Sequence, residues 1–206
     1  MSRPANSLEA ILGTPDPRAP VAATRFARRV AADWTADLAY ATLASPLGEL
    51  LLAAGRRGLV LVHYTAAARD VDAALAALAA RRSPRIVESA PALDPWRREL
   101  DEYFAGRRHD FEAPIDLGDI SGFRRRVLTA AAKIPYGAAL SYKQVATAAG
   151  SPAGARAAGN ALGSNPLPIV IPCHRVRHAG GGLGGYTGGI ERKQALLALE
   201  ERFAAA

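Results

Sequence analysis

The sequence predicts an α+β protein in two parts: a small α/β unit with a three-stranded antiparallel sheet, then a mostly helical unit containing a helix-turn-helix. Three observations carry this reading. Three apolar runs between Asp37 and Tyr64 are separated by two turn signals. Beyond residue 122 the apolar residues recur at helical spacing instead. There, two short segments with helix-start signals meet at Gly150-Ser151-Pro152.

Residues 1–37 are rich in Pro, Ala and Arg and weakly periodic, and read as an extension that is poorly ordered or loosely helical around RFARRVAADW. Residues 38–117 form the first domain. Its meander turns at Ser45-Pro46-Leu47-Gly48 and at Gly55-Arg56-Arg57-Gly58. An alanine-rich helix follows near residues 69–81. A second is expected at Pro95–Ala105, where Trp96, Leu100, Tyr103 and Phe104 share one face and Gly106 stops it. DFEAPIDLGDISG links this part to the second domain, residues 118–206. Phe123, Val127, Ala131 and Ile134 mark a helix that ends at Pro135-Tyr136-Gly137. Ser141 and Gln144 form a capping box opening a short helix. Ser151 and Pro152 are expected to open the next as N-cap and first helical residue, and it runs to Gly163. The last helix is GIERKQALLALEERF.

Composition narrows the function classes. Half the residues are hydrophobic and mean hydropathy is +0.01, which describes a globular chain with enough residues for a proper core. No apolar run reaches the roughly 18–20 residues of a membrane span, and the first twenty residues lack the apolar stretch of a signal peptide, so the expectation is the cytoplasm. The net charge is +7 and the pI about 10.1, carried by arginine far more than lysine. That suggests a polyanionic partner, although a GC-rich genome gives the same bias. One cysteine excludes an internal disulfide and a multi-cysteine metal cluster. The four histidines lack metal-site spacing, so no metal and no cofactor is expected.

The single cysteine stands in IVIPCHRVRH, residues 169–178, read as the end of an apolar strand. Cysteine attacks as thiolate and needs a base or a positive field to become one. His174 is next in sequence, but neighbours on an extended strand point to opposite faces. A Cys173–His174 pair therefore needs a turn, which Pro172 permits, or a bridging water. A base also needs an orienting acid, and Glu200 shares a helix face with Leu196 and Leu197. A buried structural cysteine and a satisfied core histidine are the plainer alternatives. Against them stand Asn165-Pro166-Leu167-Pro168 before the site and GGGLGGYTGG, residues 180–189, after it. Such a loop lets backbone approach a flat ligand closely.

SYKQVA, SPAGARAAGNALGSNPLPIVIPCHRV and GYTGGIERKQALLALE resemble, in content and spacing, the O6-alkylguanine-DNA alkyltransferases. The resemblance covers roughly residues 38–203 and is strongest from Phe123 onward. It implies a ribonuclease H-like first domain and a winged-helix second domain carrying the active site. It further implies that Cys173 is the acceptor thiol, that His174 relays its proton through a water, and that Glu200 orients His174. Tyr142 matches the donor to N3 of a flipped guanine. Arg156 matches the residue that fills the gap in the base stack, and Asn165 the brace before the active-site strand. Tyr186 and Thr187 match a lid over the base. Arg175 matches a structural position. Ala157 and Gly159, with the other small residues of the second helix, suit close approach to the minor groove; close helix packing is their plainer reading. Ala158 stands where the family often has valine.

Together these imply direct-reversal DNA repair: O6-alkylguanine, and O4-alkylthymine with it, is rotated out of duplex DNA and its alkyl group passes to Cys173 in a single-turnover methyltransferase reaction. The thioether product offers no carbonyl for water to attack, so the transfer is irreversible. The expected partner is double-stranded DNA bound without sequence preference, by a monomer that does not associate with membrane. The alternatives are a non-catalytic alkylated-DNA-binding or regulatory protein and, further off, a cysteine hydrolase.

Overall fold

The computed structural model describes residues 36–204. The extension read at residues 1–37 lies outside the described residues, apart from Ala36 and Asp37. The chain divides into two compact units, with the break between Ile120 and Ser121.

In the first unit, β1 (Leu38–Leu43), β2 (Glu49–Gly55) and β3 (Gly58–Thr65) form the expected antiparallel meander. The turn at Ser45 closes with reciprocal backbone bonds to Gly48 of 3.2 and 3.1 Å. At the second turn Gly58 has φ 137°, and a Cβ there would lie 2.4 Å from the Pro114 carbonyl oxygen. Only glycine allows that approach. It is used by the bond from the Leu59 amide to Pro114, 2.9 Å.

The sheet has four strands, which corrects the three read from sequence. β4 (Ile86–Glu88) lies parallel to β1, giving the order β3-β2-β1-β4. Three residues, two of them exposed, are too few to show an alternating pattern. Before β4, α1 (Ala68–Arg81) packs Val71, Ala74, Leu75 and Leu78 against Leu38, Leu51, Ala53, Val60 and Leu61. Its first turn is capped by Asp70, whose carboxylate accepts the amides of Ala66 and Ala67. Leu50, Leu52 and Ala54 are buried as well, so both faces of β2 are covered.

α2 begins at Ala90 rather than Pro95 and runs to Phe104. Pro95 therefore lies inside the helix, where proline costs roughly 3 kcal/mol. The earlier start adds the buried Leu93, worth roughly 1.5–3 kcal/mol, which offsets most of that cost, while Trp96, Leu100 and Tyr103 anchor the rest of the helix. Pro91 adds nothing to it, since a first-turn amide has no partner to lose.

In the second unit, α3 (Gly122–Ala132) leads through Ile134 to β5 (Leu140–Ser141) and α4 (Tyr142–Ala148). The Ser141–Gln144 capping box forms: the Gln144 amide reaches Ser141 Oγ at 3.2 Å, and the Ser141 amide reaches Gln144 Oε1 at 2.8 Å. α5 is Ala155–Gly163, capped by Gly154. This corrects the expected start at Ser151-Pro152, where Ser151 instead closes a turn by accepting the Gly154 amide at 2.8 Å. Arg126 Nε donates to the Ala149 carbonyl at 2.8 Å, satisfying the end of α4. β6 (Val176–Arg177) pairs parallel with β5, Leu140 opposite Val176 and Ser141 opposite Arg177. This two-residue ladder brings the start of α4 beside the chain that has just passed Cys173. α6 (Ile190–Ala204) closes the unit.

Candidate active site

IVIP is not a strand, and the reason lies in Asn165. Its Oδ1 accepts the Leu167 amide at 3.0 Å, and its Nδ2 donates to the Ile171 carbonyl at 2.9 Å and to Cys173 Sγ at 3.2 Å. The segment therefore satisfies its backbone locally and needs no ladder. Ile169 is held at φ 74°, a left-handed conformation that costs a branched residue energy and persists because Leu167, Ile169 and Ile171 are fully buried around it. Pro172, at φ −78° and ψ 63°, then centres an inverse γ-turn in which the Cys173 amide donates to the Ile171 carbonyl at 2.7 Å. Cys173–Arg175 form one 3₁₀ turn. The turn that a Cys173–His174 pair requires is present.

Behind Cys173 lies a buried charge network. His174 and Glu200 are 0 and 1 % exposed, and His174 Nε2 lies 2.8 Å from Glu200 Oε1. The carboxylate assigns the ring proton to Nε2, which makes Nδ1 the basic nitrogen. Arg175 binds the same carboxylate through Nε at 3.1 and 3.0 Å and through its terminal nitrogen at 2.9 Å. It also donates to the Ile134 carbonyl at 2.5 Å, and the Gly137 amide donates to Glu200 Oε2 at 3.1 Å. Burial pushes Glu200 upward, but the hydrogen bonds from His174 and Arg175 and the Arg175 charge more than reverse it, to about 2. Burial, only partly offset by Glu200, holds His174 below the usual imidazole value, so it is neutral near pH 7. Burial also pushes the Cys173 thiol up to about 11, against the pull of Asn165 and the Lys193 charge. The resting sulfur is a thiol, and proton transfer from it to the neutral His174 imidazole is uphill, so the transfer has to accompany the sulfur's attack rather than precede it.

Cys173 opens on a cavity of about 550 Å³, within the range of small-ligand pockets, roughly 300–1,000 Å³. Tyr142, Arg156, Gly159, Tyr186 and Thr187 all line it with Cys173. Tyr142, the first residue of α4, packs beside Gly159 and under the glycine-rich loop. At Gly184, φ 70°, an added Cβ would lie 2.4 Å from its hydroxyl oxygen. Burial and the neighbouring sulfur raise Tyr142, so its proton stays available for donation. Arg156 is exposed on α5. Thr187 Oγ1 ties the loop to the Gly163 carbonyl at 3.1 Å, and the Tyr186 ring stands edge-on to His174 at 6.3 Å. Asn165, His174 and Glu200 do not line the cavity. Ala157 is exposed on α5 and does not line the cavity.

Two further residues, His178 beside Tyr142 and Lys193 behind the cavity wall, escaped the sequence reading. His178 lines the mouth, its ring centroid 5.2 Å from that of Tyr142; nothing in the pattern after Arg175 marked it. Lys193 is fully buried, and its spacing with Leu196 and Glu200 on one helix face was a legible signal.

Comparison with known proteins places both units. Residues 38–117 match the family model "6-O-methylguanine DNA methyltransferase, ribonuclease-like domain", and residues 122–202 match "6-O-methylguanine DNA methyltransferase, DNA binding domain". The chain is similar to a methylated-DNA–protein-cysteine methyltransferase of Mycolicibacterium paratuberculosis, 42 % identical over 163 residues, covering 79 % of this chain and 92 % of the relative. It is similar to the crystal structure of the O6-methylguanine methyltransferase of Mycobacterium tuberculosis, with TM-score 0.67, 36 % identity, and 80 % and 93 % of the two chains covered. A structure of the Mycobacterium tuberculosis protein in complex with DNA aligns with TM-score 0.68 at 37 % identity, covering 80 % and 94 %.

Proposed function

The chain belongs to the 6-O-methylguanine DNA methyltransferase family, DNA-binding repair transferases that move an alkyl group from DNA to a cysteine, and we propose how its own residues divide that work. Its one cysteine is Cys173. The observation that carries the proposal is that Cys173 lines the cavity while its neighbour in the same turn, the neutral His174, is buried against the Glu200 carboxylate.

An O6-alkylguanine swung out of the duplex occupies the cavity. The thiol proton passes through a water to His174 Nδ1, and Glu200 stabilises the imidazolium that forms. As the proton leaves, the sulfur attacks the alkyl carbon in line. The new S–C bond forms as the C–O6 bond breaks, and that electron pair moves into the guanine. Tyr142 donates its proton to N3, neutralising the charge that develops. A proton returned from His174 to Tyr142 leaves both as they began, so the net change is one alkyl group exchanged for one proton. The thioether has no carbonyl to hydrolyse, and no second cysteine can resolve it. Each chain therefore reacts once, and O4-alkylthymine is accepted by the same route.

Arg156 plugs the stack that the flipped base vacates, offsetting part of an unpairing cost of roughly a few kcal/mol. The small residues of α5, among them Ala157 and Gly159, approach the minor groove as a monomer, and arginines on phosphates supply affinity without sequence preference. A reducing cytoplasm keeps Cys173 a thiol. The test compares two substrates. Arg156→Ala should slow transfer from a lesion in duplex DNA roughly 10- to 100-fold, the scale of the flipping cost, and slow transfer from free O6-benzylguanine far less. An equal loss on both substrates removes Arg156 from this role.

A further inference from the structure

We propose that Lys193 is a positioning residue: its ammonium clamps the glycine-rich loop to the strand that follows Cys173 and so fixes the cavity wall that holds Tyr142. This rests on the reading that transfer to Cys173 takes place in that cavity.

Lys193 lies in the first turn of α6, its amide bonded to the Gly189 carbonyl at 3.2 Å, and its side chain has no exposure. Burying an ammonium is costly unless its donors are used. Here Nζ donates to the carbonyls of Val176 and Leu183, each at 2.5 Å, with Gly185 at 3.4 Å. Three donors meet three backbone carbonyls from two segments. Val176 opens β6, just beyond the Cys173 turn, while Leu183 and Gly185 belong to the loop over the cavity. That loop includes Gly180, Gly181, Gly182, Gly184 and Gly185, and glycine loses the most conformational freedom on ordering. A buried side chain that grips two of its carbonyls supplies the order that its own side chains do not.

The clamp acts on the reaction through Tyr142. Gly185 lines the cavity and its backbone bonds the Tyr142 hydroxyl, and Gly184 sits against the same ring. The Lys193 charge also favours the Cys173 thiolate.

The chain has three lysines, and Lys133 and Lys143 are exposed. With lysine nitrogens isotope-labelled in the wild-type protein, one ammonium signal should resist solvent exchange; absence of any protected ammonium overturns the proposal without a variant. Lys193→Met should lose that signal, exchange its amides faster across residues 182–187, and transfer methyl groups from lesion duplex roughly 10- to 100-fold more slowly with little change in duplex affinity. Lys193→Arg should recover part of the rate. A folded Lys193→Met protein with wild-type rate and wild-type loop exchange overturns the proposal. Should Lys193→Met fail to fold, the wild-type ammonium signal and the loop exchange of Lys193→Arg decide it. Should the wild-type protein itself accept no methyl group, the functional reading falls, while ammonium protection and loop exchange still judge the clamp.

Discussion

Glu200 shows how far one side chain reaches in this molecule. It holds His174 in the tautomer that can accept a proton, and it is the counter-charge that allows Arg175 to be buried. Its folded value of about 2 lies below the unfolded 4.5. A lowered carboxylate contributes stability that is present above pH 4.5 and is lost as the pH falls toward 2. Glu200→Gln should cost about 3–5 kcal/mol in urea melts at neutral pH, because it leaves the Arg175 charge buried without a partner. The wild-type advantage should shrink as acid is added over that window; parallel stability curves for the two proteins would contradict this account. The sequence displayed this residue through its helix face and the family resemblance. It displayed Cys173 and His174 through chemistry. His178 stayed hidden because a lone histidine in a polar loop has no periodicity, and Lys193 because lysine ordinarily reads as surface.

Among the elements, the short segments are where sequence and structure part. Long periodic helices and the meander were legible, since burial on one face imposes a repeat that can be counted. The stretch from Asn165 to Cys173 is an apolar run that reads as a buried strand, with Leu167, Ile169 and Ile171 buried, yet a side-chain amide closes its turns and replaces the ladder. β4 was missed for want of length, and α5 starts late because Ser151 spends its carbonyl on a turn. The glycine-rich loop was legible as a close-approach segment but not as one wall of a specific cavity. Gly184→Ala tests that wall: φ 70° and the Tyr142 hydroxyl leave no room for a methyl group. Thermal melts should fall by a few degrees, roughly the effect of 1 kcal/mol. Single-turnover transfer should fall more steeply than duplex affinity, because the displaced group is Tyr142. A loss confined to affinity would place the loop in DNA contact instead.

For the whole molecule, the four-stranded unit and the helical unit each close their own core, and Cys173, His174, Glu200 and Tyr142 all belong to the second. A positively charged chain brings that chemistry to a polyanion, and a single sulfur limits it to one event. The change from a sheet-forming stretch to a helical one was legible in the spacing of apolar residues. The resting protonation of the sulfur was not, because it depends on how completely the fold buries it. The central claim is that Cys173 takes one alkyl group, once. It is tested most directly by titrating the protein with duplex carrying a single O6-methylguanine, weighing the intact chain, and locating the added mass by peptide mapping. The account predicts that product rises to one methyl group per chain and stops there with lesion in excess, that the methyl group lies on Cys173, and that Cys173→Ala gains none. Repair of several lesions per chain, or a methyl group on any other residue, would contradict it.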